Sequence, residues 1–155
     1  MQIDTSIVNK LIDDQITITG AESLTAGMFQ STIGGVPGVS AIFYGGFVTY
    51  SNEAKAKLLS IPMDVIDEYG VVSEQVAIWM AKQSKQIMNV DVGVSFTGVA
   101  GPDSLEGQPA GTVFIGLDFK GNQFAKEFHF SGSRQEVREQ SVQAALKMIE
   151  NEYFK

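Results

Sequence analysis

Apolar positions along the chain switch repeatedly between helical and strand spacing, and the switches lay out its elements. From Ser6 to Asp14, the residues Ile7, Val8, Leu11 and Ile12 recur at helical intervals and predict an amphipathic helix. Ile16 and Ile18 then alternate with threonines, which predicts a short strand over Ile16–Thr19. The stretch from Gly20 to Gly27 is a polar turn, and a second helix is expected from about Thr25 to Ile33. Gly34-Gly35-Val36-Pro37-Gly38 is a loop by composition. Ala41–Tyr50 reads as a strand, with Ile42, Tyr44, Val48 and Tyr50 on one side and Phe43, Phe47 and Thr49 on the other.

Ser51 or Asn52 can cap a short helix through Leu59, and Pro62 opens another that ends near Tyr69-Gly70. Ser73 caps a long helix reaching Asn89, with Val76, Met80, Ser84 and Ile87 roughly in line. Asp91–Thr97 is a valine-rich strand, and Gly98 to Gly111 is a loop. Thr112–Asp118 and Gln123–Phe130 flank Phe119-Lys120-Gly121-Asn122 as a hairpin. Ser133-Arg134-Gln135-Glu136 fits a capping box, opening a last helix with Val137, Ser141, Ala144, Ala145, Met148 and Ile149 inside. Strands alternating with helices, plus a terminal hairpin, predict an α/β fold: a three-layer α/β/α sandwich with a mixed sheet. At 155 residues, one domain covering 1–155 is expected.

Composition narrows the chemistry. The absence of cysteine removes disulfides, thiolate zinc sites and cysteine nucleophiles. Net charge is −7, and no basic stripe interrupts it, so no nucleic-acid partner is expected. No apolar run approaches the ~18 residues of a membrane span, and the N-terminus carries no basic, apolar leader. A cytoplasmic protein with no membrane partner is the expectation. Metal-ligand spacing and the glycine signatures of nucleotide-binding loops are both missing, so no metal and no cofactor are expected.

The one histidine, His129, alternates with Glu127 on the polar side of its strand, which leaves Ser-His-Asp chemistry without a base. Ser23, at the strand-to-helix junction, reads either as an N-cap or as a nucleophile. Lys55 precedes Leu58 and Leu59 by three and four residues, on the apolar side of its helix. A lysine so placed either snorkels outward or serves a polar site as a base with a lowered pKa. Tyr50 ends the preceding strand; its hydroxyl either relays a proton or orients the lysine, unless it is a plain half-buried aromatic. Thr97-Gly98-Val99-Ala100-Gly101-Pro102-Asp103 follows a strand at the edge where α/β proteins bind ligands, or is simply a connection. Arg134 and Arg138, four apart at a helix start, form either an exposed pair among carboxylates or a phosphate clamp.

Taken together, these segments resemble the C-terminal domain of the competence-damage protein CinA, the nicotinamide-nucleotide amidohydrolase family. The resemblance rests on Ala21-Glu22-Ser23 with Thr25 and Gly27, Pro37-Gly38-Val39-Ser40, and Val48-Thr49-Tyr50-Ser51-Asn52-Glu53-Ala54-Lys55. Gly70-Val71-Val72-Ser73-Glu74, Thr97 to Asp103, Pro109-Ala110-Gly111-Thr112-Val113 and the pair Arg134 and Arg138 complete it in order. It implies hydrolysis of the carboxamide of nicotinamide mononucleotide to nicotinate mononucleotide and ammonia. It assigns the nucleophile to Ser23, the base to Lys55 and an assisting hydroxyl to Tyr50. Substrate binding falls to Glu22, Thr25, Gly38, Ser40, Thr97, Gly98, Arg134 and Arg138. The implied partner is a phosphorylated pyridine nucleotide. A homo-oligomer is also expected, with the Phe43 and Phe47 face as its candidate contact. The chain departs from the family where Gly20, Leu24 and Ala26 stand in place of Thr, Cys and Gly, and in the loop Asp103–Gly107. The alternative reading is a module that binds a phosphorylated nucleotide without chemistry.

Overall fold

The computed structural model describes residues 1–155. Helix α1 (Ser6–Asp13) buries Ile7, Val8 and Leu11 and leads into β1 (Ile18–Glu22). Helix α2 (Met28–Gly34) follows, then a single 3-10 turn at Val39–Ala41 and the two-residue strand β2 (Phe47–Val48). Helices α3 (Asn52–Leu59), α4 (Met63–Tyr69) and α5 (Glu74–Met88) precede β3 (Val92–Gly98). The chain closes with β4 (Thr112–Phe119), β5 (Asn122–His129) and α6 (Arg134–Tyr153), whose N-terminus carries the expected capping box.

The strands form one sheet in the order β2-β1-β3-β4-β5. β1 is parallel to β2 and β3, while β3-β4 and β4-β5 are antiparallel. Side-chain alternation along β3 explains the three layers. Val92, Val94 and Phe96 join the core beneath α1, α2 and α6, which Phe29, Ile33, Val142 and Ile149 complete. Gly93, Ser95 and Thr97 point to the other face, where α5 lies. A side chain at Gly93 or Gly116 would collide with the Ala81 or Ala77 carbonyl, so these glycines let α5 sit close to the sheet. Ser95 uses that closeness, donating its hydroxyl to the Ala77 carbonyl at 2.6 Å. No helix is long and apolar enough to cross a membrane.

Two expectations are corrected. β1 starts later and runs further than Ile16–Thr19: Gly20, Ala21 and Glu22 are strand, in register with Val94, Ser95 and Phe96. All five residues of β1 are buried, so it has helices on both faces and no polar alternation to mark its end. The predicted strand Ala41–Tyr50 is mostly irregular. Phe43 makes one bridge to Ile18, and only Phe47 and Val48 pair as strand. Gly45 and Gly46 interrupt it, because here the chain presses against β1. A side chain at Gly46 would meet the Gly20 carbonyl oxygen at 2.8 Å, and Thr19 donates to the Gly45 carbonyl at 2.7 Å.

Candidate active site

β1 and β3 end side by side, and the parallel pairing of Glu22 with Phe96 brings the two following loops together. Ser23 is tied to that edge by its amide, which donates to the Phe96 carbonyl at 2.9 Å. The chain then turns sharply: the Ala26 amide donates to the Ser23 carbonyl at 3.0 Å, and Ala26 (φ 47°) and Gly27 (φ 98°) both lie in the left-handed region. For an alanine this conformation carries strain of about 1 kcal/mol or more. The amides of Leu24 and Thr25 donate to no acceptor within the chain.

Lys55 reaches this turn from α3. The Ser51 hydroxyl caps the helix by accepting from the Ala54 amide, and the capped geometry turns Lys55 and Leu59 inward together. Lys55 is only 1% exposed. Its Nζ donates to the Thr49 carbonyl at 2.9 Å and to Ser23 Oγ at 3.3 Å. Burial pushes its ammonium down from 10.5 to about 8, while the Glu106 carboxylate pulls in the opposite direction. Ser23 is therefore not the N-cap of α2, a position that Gly27 takes without any side-chain bond.

These groups sit in a cavity of 540 Å³ whose walls include Ser23, Tyr50, Lys55, Thr97, Gly98 and Arg134. Thr97 donates its hydroxyl to the Val71 carbonyl at 2.6 Å, closing the wall beside Gly98. Arg134 donates to the Gly101 carbonyl at 2.6 Å and to the Tyr50 hydroxyl at 2.8 Å. The hydroxyl of Tyr50 thus meets the arginine, and Lys55 bonds instead to the backbone of Thr49. Tyr50 is 53% exposed and Thr49 fully buried, because successive residues of this extended edge segment point opposite ways.

Five of the expected site residues lie outside the cavity. Glu22 accepts from the Phe29 and Gln30 amides and from the Gln30 side chain, so both its oxygens are spent on holding α2 against β1. Thr25 is fully buried beneath the turn. Gly38 and Ser40 belong to the 3-10 turn whose Ile42 carbonyl accepts from Ile18, at the far end of β1. The length of β1, roughly 15 Å, separates them from Ser23. Arg138 points at the backbone of the turn after Ser23, donating to the Leu24 carbonyl at 3.1 Å and the Thr25 carbonyl at 3.0 Å. His129 lies on exposed β5 beside Glu127, away from the cavity.

The sequence reading passed over Glu106. It lines the cavity and accepts from the Val71 and Val72 amides at 3.0 and 2.9 Å. Its only local signal is the turn around Glu106 and Gly107, both at positive φ, and that turn gives no hint of partners 35 residues away.

The model of the CinA C-terminal domain family matches residues 1–153. A relative from Lactiplantibacillus plantarum, described as competence-damage inducible, is 58% identical over 146 residues, covering 94% of this chain and 35% of the relative. The chain thus spans about a third of the length of such curated relatives. The crystal structure of a CinA superfamily protein from Escherichia coli superposes with a TM-score of 0.90 at 32% identity, covering 96% of this chain and 92% of that one. A competence/damage inducible protein from Agrobacterium tumefaciens gives 0.89 at 28% identity, with 97% and 98% covered. With its fold and nearly its full length accounted for, the chain belongs to the CinA C-terminal domain family.

Proposed function

We propose that this protein is a serine–lysine amidohydrolase that converts nicotinamide mononucleotide to nicotinate mononucleotide and ammonia. The observation that carries the reading is the contact between a buried lysine amine and Ser23 Oγ at 3.3 Å, on the wall of a cavity. A lysine titrating at about 8 is partly neutral at physiological pH and can act as a general base.

In the proposed sequence, neutral Lys55 takes the Ser23 proton as Oγ attacks the carboxamide carbon. The carbonyl oxygen becomes an oxyanion, which the unpaired amide of cavity-lining Leu24 is suited to receive. Lys55 returns the proton to the amide nitrogen, the C–N bond breaks, and ammonia leaves an acyl ester on Ser23. Water, deprotonated by Lys55, attacks that ester; its C–O bond to Ser23 breaks, Ser23 regains a proton, and the carboxylate product departs. Arg134 is the phosphate-holding arginine in this scheme, since it alone of the pair lines the cavity.

The test is ammonia release from nicotinamide mononucleotide by wild type, Ser23→Ala and Lys55→Ala. Each substitution is expected to lower kcat by at least about a thousandfold, as removal of one member of such a unit does. Full turnover in either variant removes that residue from the mechanism. The strained Ala26 beside the nucleophile favours the second reading, a nucleotide-binding module without chemistry. Calorimetric binding of the mononucleotide with no product over hours would establish that reading instead.

A further inference from the structure

Arg138 occupies a helix position where it was expected to meet phosphate, and its guanidinium is instead committed to main-chain oxygens. Nε donates to the Leu24 carbonyl at 3.1 Å, Nη2 to the Thr25 carbonyl at 3.0 Å, and Nη1 to Gln135 Oε1 at 3.0 Å. Three acceptors on separate nitrogens fix the plane of the fork. A trans peptide is planar, with its C=O and N–H pointing opposite ways. The unit joining Leu24 to Thr25 therefore has its oxygen held by Arg138 and its N–H free on the other side. The preceding unit is held likewise, by the Ala26 amide on the Ser23 carbonyl, and leaves the Leu24 N–H free. The turn thus carries two adjacent free donors directly after Ser23, the first on cavity-lining Leu24 and the second on Thr25 buried beneath it, each in a peptide whose other end is anchored.

We infer that Arg138 is a positioning residue for the oxyanion: by gripping the Leu24 and Thr25 carbonyls it locks the turn after Ser23, so that the free Leu24 amide stays aimed at the reacting carbonyl oxygen. This rests on the amidohydrolase reading of the site. It separates the two arginines by role, with Arg134 acting on substrate affinity and Arg138 on the chemical step.

The experiment compares wild type, Arg138→Met, Arg138→Lys and Arg134→Met for turnover of nicotinamide mononucleotide, with thermal unfolding as the fold control. Arg138→Met is expected to lower kcat by about 10- to 100-fold, since misaiming a donor costs less than the 10²–10³ of losing one. KM should change less than about threefold. Arg138→Lys, which can hold one carbonyl, should recover part of kcat. Arg134→Met should instead raise KM. A second readout uses the 3-formylpyridine mononucleotide, whose aldehyde carbon accepts Ser23 Oγ and whose oxygen gains that proton or stays anionic. Arg138→Lys should weaken its binding on the order of tenfold while leaving affinity for nicotinate mononucleotide unchanged. A raised KM with kcat retained, or equal weakening of both ligands, would overturn the inference and leave the amidase standing. A wild type that releases no ammonia would remove both.

Discussion

In the proposed mechanism Lys55 serves as the base at the expense of the fold. A drop from 10.5 to about 8 corresponds to about 3 kcal/mol of destabilisation of the charged form. Below pH 8 the amine is protonated in both folded and unfolded chains, so the penalty is present in full. Between pH 8 and 10.5 the unfolded chain holds the proton and the folded one has released it, so stability rises with pH. Lys55→Met is therefore expected to abolish turnover yet stabilise the protein by about 1–3 kcal/mol at pH 7, with a smaller gain at pH 10. Denaturant midpoints at the two pH values check this, and equal or lowered midpoints would contradict it. In the wild type, kcat/KM should climb with pH through an inflection near 8 as the base form appears.

Among the elements, the loop between β3 and β4 is held from two sides, by Arg134 on the Gly101 carbonyl and by the side chain of Glu106. Glu106 anchors it to the Val71 and Val72 amides, and Leu105 and Gln108 exchange backbone bonds at 3.0 and 2.8 Å. The Lys55 amine bonds Ser23 and the Thr49 carbonyl, and the other titratable or charged groups lining its cavity are Tyr50, Asp103, Glu106 and Arg134. Because the Glu106 carboxylate raises the Lys55 pKa, Glu106→Gln should move the acid limb of the pH–rate profile to lower pH. It should also speed amide exchange at Val71 and Val72. A limb that stays in place or moves upward counts against this role. Glu106 illustrates why some of the site was hidden in the sequence: its partners come from a distant turn, and no periodicity encodes that meeting. Lys55 was legible because a cation on an apolar helix face breaks a pattern. The end of β1 was not, because a strand covered on both sides has no alternation to lose. The Ala41–Tyr50 segment misled for a related reason: its residues alternate, but two glycines and the closeness of β1 prevent pairing.

On the scale of the whole molecule, an acidic protein of net charge −7 repels a phosphorylated substrate, so a local cation must offset the field. Arg134 is that cation in our reading. Nicotinamide riboside, lacking the phosphate, is expected to lose about 100-fold or more in kcat/KM, part of it in kcat. Steady-state ammonia release from the two substrates measures the split, and equal kcat/KM values would refute it.

Both arginines stand on α6, one helical turn apart, which is about 6 Å along its axis. On the proposed function the helix therefore works as a gauge. In our reading one end touches the residues around the substrate's phosphate and the other sets the backbone after Ser23, so a substrate would be measured by the span between its anionic tail and its scissile bond. Compounds of the wrong length would seat one end while leaving the other out of reach.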